Sequence, residues 1–294
     1  MNKLVIALTV AAVAVLASGA AGAGTRATPP GKIVYSGAYK AGSALFVVSP
    51  NGGAPKRLTS PTRFTDGNPS WSANGKRIVF ESDRLGDMNI FAARADGTHV
   101  RELTFSEAFD GDPAWSSTNK IAFESDRAGS TDVWVMNPDG SNETQLTTDD
   151  AFDGDPVWSP DGSKIAFTST RGGDREIWVM NADGSDQTRL TSAPGISENP
   201  SWSPDGLEIA FDTNRNGNLE IYVMNADGSD QTRLTNSGAL DALPTWSPDS
   251  RHIAFVSDRF RRRIRRIYTM DLDGAHVRML THGSFDMSPD WARG

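Results

Sequence analysis

Cysteine is absent from the 294 residues. That excludes disulfide staples, thiolate metal sites, a cysteine nucleophile and a lipoprotein anchor through cysteine. Positive charge is in deficit: 29 Lys and Arg stand against 37 Asp and Glu, for a net −8. A surface of that sign disfavours non-specific nucleic-acid binding, so no nucleic-acid partner is expected. Histidine is scarce, with only His99, His252, His276 and His282, and no HExxH spacing occurs. There is no Gly-x-Ser-x-Gly elbow either. Past residue 23 no helical periodicity develops, and no apolar run could span a bilayer. Turn formers and aromatics are plentiful instead. The chain has 28 Gly, 16 Pro, eight Trp and thirteen Phe, the aromatics at regular intervals. This is the composition of an ordered, turn-rich, all-β protein.

Residues 1–23 read as a secretory signal peptide. Lys3 supplies the positive start, Leu4 to Ala17 is a 14-residue apolar run, and Ala21-Gly22-Ala23 fits the A-x-A cleavage pattern. Fourteen helical residues rise only about 21 Å, short of a roughly 30 Å hydrocarbon core, so cleavage is favoured over anchoring. The mature chain is then expected to be periplasmic or secreted, with no membrane span. Residues 24–31 form a short linker, and residues 32–294 are left for the folded part.

That part is repetitive. Pro-x-Trp recurs at Pro69/Trp71, Pro113/Trp115, Pro156/Trp158, Pro200/Trp202, Pro244/Trp246 and Pro289/Trp291, with Trp-to-Trp steps of 44, 43, 44, 44 and 45 residues. Each unit continues with a turn such as Ser159-Pro160-Asp161-Gly162 and an apolar triplet such as Ile165-Ala166-Phe167. Ser/Thr-x-Arg, a second apolar run, an Asp-Gly turn and Arg-Leu-Thr follow. Four short antiparallel strands per roughly 44 residues make a propeller blade. The runs are continuously apolar, as expected of a sheet covered on both faces. The first unit, from Lys32, lacks its Pro-x-Trp strand, while the chain ends on a spare one, Ser288-Pro289-Asp290-Trp291. The spacing therefore predicts a six-bladed β-propeller whose sixth blade is closed by three N-terminal strands and one C-terminal strand.

Trp202-Ser203-Pro204-Asp205-Gly206 and Ile221-Tyr222-Val223-Met224-Asn225-Ala226-Asp227-Gly228 resemble the repeats of the TolB propeller family, with PD40-type, WD40-like units. The resemblance runs from about Lys32 to Trp291. It implies that the Pro-x-Trp strand is innermost and that the protein is an envelope component. The family's namesake carries an additional N-terminal domain that engages the Tol machinery, and residues 24–31 leave no room for one. Relatives attached to peptidase domains exist, and no hydrolase domain is recognisable here.

Strand alternation puts the link into Pro-x-Trp and the loop after the apolar triplet on one face of the disc. On that face an aspartate stands three residues before the motif proline at Asp66, Asp110, Asp153, Asp241 and Asp286; the fourth unit has Ser197, with Glu198 beside it. Asp112 and Asp155 add carboxylates. Two readings follow. The five aspartates form a candidate channel-mouth cation site, with calcium as the ion because it takes 6–8 oxygen ligands. Alternatively they pair with Arg84, Arg127, Arg171, Arg215 and Arg259 as structural latches worth about 0–1 kcal/mol each. The last full unit breaks the symmetry: Arg259-Phe260-Arg261-Arg262-Arg263-Ile264-Arg265-Arg266 lengthens its loop by two residues. Arg259, Arg261, Arg262, Arg263, Arg265 and Arg266, with Asp112, Asp155 and Glu198, are the candidate partner-binding residues. The arginines suit an anionic polymer or an acidic protein patch; otherwise they pair with the acidic surroundings.

The sequence thus predicts an exported, non-catalytic binding module or scaffold of the bacterial cell envelope. It would engage an envelope or extracellular protein or polymer over one face, with no cofactor required, as a monomer. The alternative is a carbohydrate-active enzyme, a glycosidase or lyase, using two mouth carboxylates as acid and base.

Overall fold

The computed structural model describes residues 30–60 and 63–292. The signal peptide and most of the linker fall outside these residues. Twenty-four strands form six four-stranded antiparallel sheets, and no helix is present among the described residues. Five blades are contiguous in sequence. The first holds β4 (Asp66–Trp71), β5 (Arg77–Ser82), β6 (Asn89–Arg94) and β7 (Arg101–Glu102). The second holds β8 (Asp110–Trp115), β9 (Ile121–Ser125), β10 (Asp132–Met136) and β11 (Thr144–Gln145). The third holds β12 (Asp153–Trp158), β13 (Lys164–Ser169), β14 (Glu176–Asn181) and β15 (Thr188–Arg189). The fourth holds β16 (Ser197–Trp202), β17 (Glu208–Thr213), β18 (Glu220–Asn225) and β19 (Thr232–Arg233). The fifth holds β20 (Asp241–Trp246), β21 (His252–Arg261), β22 (Ile264–Asp271) and β23 (Arg278–Met279).

The sixth blade joins the two ends of the chain. Its order is β24 (Asp286–Trp291), β1 (Ile33–Tyr39), β2 (Gly42–Val48) and β3 (Lys56–Arg57). Ile33 pairs with Trp291, the Ala292 amide donates to Lys32 O at 2.8 Å, and the Trp291 indole donates to Pro30 O at 2.8 Å. The ring is closed as the repeat count requires.

The core lies between blades. One cluster joins Ile33, Tyr35 and Val48 of the sixth blade to Ala254, Val256 and Ile267 of the fifth, and each of the other interfaces repeats the arrangement. Phe80, Phe123, Phe167, Phe211 and Phe255 have no exposed surface. Both faces of each sheet are covered, which is why the apolar triplets do not alternate. The Asp-Gly hairpins tuck against the neighbouring blade. Gly140 has φ +86°, and a Cβ there would lie 2.4 Å from Leu103 O, so only glycine fits.

One irregularity recurs in every blade. Between the two innermost strands the register slips by one residue, for example between Gly111/Glu124 and Ala114/Ala122. The extra residue precedes the motif proline and has positive φ in all six blades: Asn68, Asp112, Asp155, Asn199, Leu243 and Ser288, between 40° and 55°. It forms a β-bulge, and the proline beside it needs no ladder partner.

Candidate functional site: the channel mouth

The bulges build the mouth. Their six residues and the six prolines line the channel on one face, whereas Trp71, Trp115, Trp158, Trp202, Trp246 and Trp291 line its opposite end. A second tier comes from the residue after each apolar triplet in the second strand: Glu81, Glu124, Thr168, Asp212, Val256 and Ser36. Taking the two tiers together, each of the first four blades brings at least one carboxylate and the last two bring only neutral residues, so the mouth has an acidic side.

The two tiers are tied across blade boundaries. The Asp112 amide donates to Glu81 Oε2 at 3.1 Å, the Asp155 amide to Glu124 Oε2 at 3.1 Å, and the Leu243 amide to Asp212 Oδ2 at 2.8 Å. Asn199 Nδ2 also donates to Asp212 Oδ2, at 3.0 Å, while the buried Asp212 Oδ1 has no hydrogen-bond partner among the described residues. Asp112, Glu124 and Asp155 bring carboxylate oxygens within 4.8 Å of one another. Crowding of this kind holds protons on acids. Burial, with the Asp155 charge as the next contribution, pushes the Glu124 carboxyl up to about 8. Burial and the charges of Glu124, Glu81 and Asp155 push Asp112 well above the ordinary range, and burial raises Glu81, Asp155 and Asp212. Among the described residues the one basic side chain ion-paired to this ring is Arg175, at 2.7 Å from Glu198 and stacked 4.7 Å over Phe152.

The aspartates three residues before the prolines are placed differently from the ring expected of them. Asp66, Asp110, Asp153 and Asp241 start their inner strands, fully buried, one per blade. Each takes the arginine of its own blade: Arg84–Asp66 at 2.5 Å, Arg127–Asp110 at 2.6 Å, Arg259–Asp241 at 2.7 Å, and Arg171–Asp153. Each pair latches the link into the inner strand to the loop after the second strand of the same blade. Asp286 accepts from the Gly283 amide at 3.1 Å and from Thr281, and burial raises its pKa. These five do not converge; the set that does is Asp112, Glu124 and Asp155. Glu198 lies beside it in the same mouth. Arg259 is consumed by its latch, with its guanidinium 5.1 Å over Phe255 and 5.2 Å over Tyr268. Arg261, Arg262, Arg263, Arg265 and Arg266 lie together on the hairpin of β21 and β22. Glu81, Glu124 and Asp212 were missed from sequence. Their only signal is a polar residue directly after Ile-x-Phe that changes from blade to blade while its neighbours repeat.

Chemically, an arrangement of this kind can hold protons or a cation. A two-carboxylate glycosidase keeps its acid and base about 5–5.5 Å apart when retaining and 6.5–9.5 Å apart when inverting. The convergent set here is tighter and is tied to backbone amides, and no histidine lines the mouth.

A family model described as the TolB beta propeller domain matches residues 107–194, and one described as the Tricorn protease N-terminal beta propeller domain matches residues 176–290. Over residues 107–194 the repeats are similar to those of TolB beta propellers. Its fold superposes on TolB from Acinetobacter baumannii with a TM-score of 0.81 at 20% identity, covering 90% of this chain and 67% of that one. It superposes on a putative TolB from Agrobacterium tumefaciens with a TM-score of 0.68 at 26% identity, covering 80% and 85%. A dipeptidyl-peptidase 5 from Porphyromonas endodontalis is 37% identical over 84 residues, which are 26% of this chain and 12% of the peptidase. The chain thus matches only a small part of that curated relative's length. Among the described residues no helix is long and apolar enough to cross a membrane.

Proposed function

We propose that this propeller is an exported, non-catalytic binding module of the cell envelope, periplasmic or secreted, that engages a partner over its mouth face. The reading rests on one observation: Asp112, Glu124 and Asp155 converge at the mouth with no basic side chain ion-paired to any of them among the described residues, where Arg175, paired with Glu198, acts on Asp155 and Glu124 only through its charge. Such a site takes a cation, either calcium or a Lys- or Arg-bearing segment of a partner protein. The buried, partnerless Asp212 Oδ1 beside it favours positive charge further. The leader-like residues 1–23 support export.

Thermal melts with and without calcium, and with a lysine-rich peptide, test this. The expected result is a higher melting temperature in millimolar calcium or in the peptide, lost in the Asp112→Asn/Asp155→Asn variant. A wild type whose melt ignores both ligands refutes the reading.

A further inference from the structure

We infer that the β21–β22 hairpin is a peripheral membrane contact, built to sit on an anionic phospholipid surface. The inference goes beyond the partner reading above and uses none of the mouth carboxylates.

The hairpin departs from its five counterparts in length. In the first to fourth blades a tight turn follows the second strand at once, closed by bonds such as the Gly86 amide to Asp83 O and the Gly173 amide to Thr170 O. In the fifth blade pairing continues beyond Ser257↔Arg266 to Arg261↔Ile264. The register slips on the way, with four residues on one leg against two on the other, so the shorter leg carries the paired hairpin roughly 7 Å further. Its outer leg leans on the sixth blade through an Arg265↔Phe285 bridge.

Charge is the second departure. The equivalent turns hold Leu85-Gly86-Asp87, Ala128-Gly129-Ser130, Gly172-Gly173-Asp174-Arg175, Asn216-Gly217-Asn218 and, in the sixth blade, Lys40-Ala41, so none has more than one basic side chain beyond its latch arginine. Here Arg261, Arg262 and Arg263 are exposed at the tip, with Arg265 and Arg266 half-buried below. None of the five is ion-paired to a carboxylate among the described residues, whereas Arg259 at the base is. Arg266 donates to Gly283 O at 3.0 Å and its charge favours the ionised form of Asp286, whereas among the described residues no carboxylate ion pair accounts for Arg261, Arg262 and Arg263 at the tip. Arg263 also sits at φ +70°, a position where turns favour glycine or asparagine. A chain of net charge −8 has concentrated five arginines on one extended hairpin, at a backbone cost.

Aromatics are the third. Phe260 is 59% exposed and Phe285 48% exposed, with Arg266 stacked 4.0 Å over the former and Arg265 5.3 Å over the latter. Guanidinium groups bind phosphates bidentately, and basic side chains interleaved with exposed aromatic rings suit the headgroup layer of a bilayer. A soluble phosphate polymer would neutralise the arginines and leave the rings in water. Arg261, Arg262 and Arg263 are consecutive and exposed around a two-residue tip, which suits a field of headgroups and not a single phosphate. Physiological salt screens the acidic mouth over about 8 Å.

The test is co-sedimentation with vesicles of phosphatidylcholine alone or with 30% phosphatidylglycerol. The chain from Gly24 is used, since the ring closes between β1 and β24 without the apolar leader. Binding only to the anionic vesicles, falling as salt is raised, is expected. Each arginine is worth roughly fivefold near such a surface. Replacing Arg261, Arg262, Arg263 and Arg265 with serine should therefore weaken binding at least 50-fold with the melt unchanged. Phe260→Ser/Phe285→Ser should weaken it about tenfold and keep the salt dependence. Equal binding to both vesicle types, or anionic binding that survives the four-arginine change, overturns the proposal. So does polyphosphate that binds the phenylalanine variant as well as wild type and displaces wild type from vesicles completely, because the rings would then play no part. The Asp112→Asn/Asp155→Asn variant should sediment as wild type, which keeps this outcome separate from that of the mouth.

Discussion

The fourth blade offers a direct test of the latch. Four blades place an aspartate under the Ser/Thr-x-Arg arginine, and the fourth places Ser197. Arg215 keeps the rest of the setting: Nε to Thr213 Oγ1 at 3.3 Å, a bond to Gln231, and stacking 4.9 Å over Tyr222 and 5.5 Å over Phe211. Its other nitrogen reaches Ser197 Oγ only at 3.4 Å, and burial lowers its pKa. The guanidinium is already half-desolvated with no carboxylate opposite, so Ser197→Asp adds attraction and must cover only the carboxylate's own desolvation. A charge-assisted hydrogen bond contributes about 1.5–3 kcal/mol. The latch arginines are 17–23% exposed, and that screening together with the desolvation leaves about 1 kcal/mol. For a domain of this size that is a rise of roughly 2 °C in melting temperature. The reciprocal change, Asp241→Ser, strands Arg259 over its rings and should cost about 2 kcal/mol. Urea unfolding of the two variants beside wild type measures both. If Ser197→Asp destabilises while Asp241→Ser behaves as stated, the fourth blade is adapted to its serine and the equivalence of the latches is refuted.

Two further outcomes follow from the mouth and the seam. Glu124 titrates near 8 folded against an ordinary 4.5, so between those values the native state holds the extra proton and stability falls as pH rises. Urea midpoints should be higher at pH 5 than at pH 8.5, and Glu124→Gln should recover on the order of 2 kcal/mol at pH 8.5 while retaining its bond from the Asp155 amide; a flat profile for wild type contradicts the crowding. Deleting residues 286–294 removes β24 and leaves β1 unpaired on its inner side, so the cooperative melt should be lost, and a variant that still unfolds in one sharp transition would show that the closure is dispensable.

Much of the architecture was legible because it rests on spacing. Six Pro-x-Trp motifs at 43–45 residues, with the spare one at the end, determine both the blade count and the closure. The face assignment followed from antiparallel alternation. The site was less legible because alternation fails at one residue. Period two puts Asp110 and Asp112 on the same side, but the bulge gives Asp112 a φ of 43° and turns it into the channel, while Asp110 stays buried over its arginine. Reading the mouth from Asp66, Asp110, Asp153, Asp241 and Asp286 therefore selected the latch residues. Glu81, Glu124 and Asp212 went unseen because nothing in Ile-Val-Phe-Glu or Ile-Ala-Phe-Asp says that its last residue faces a channel. The arginine run was visible as an insertion of two residues. That it extends two paired strands and does not loop out became apparent only from the register.

The seam between β1 and β24 brings the first and last strands of the described residues to one spot on the tryptophan side of the disc, since Ile33 pairs with Trp291 there. Anything joined to either end, such as a reporter, a second module or a solid support, would hang behind the disc with the carboxylate side open. The same proximity makes the molecule a candidate for cutting and rejoining: a short bridge across the old ends and a new opening in one of the Ser-Pro-Asp-Gly corners would relocate the attachment point without moving a single petal.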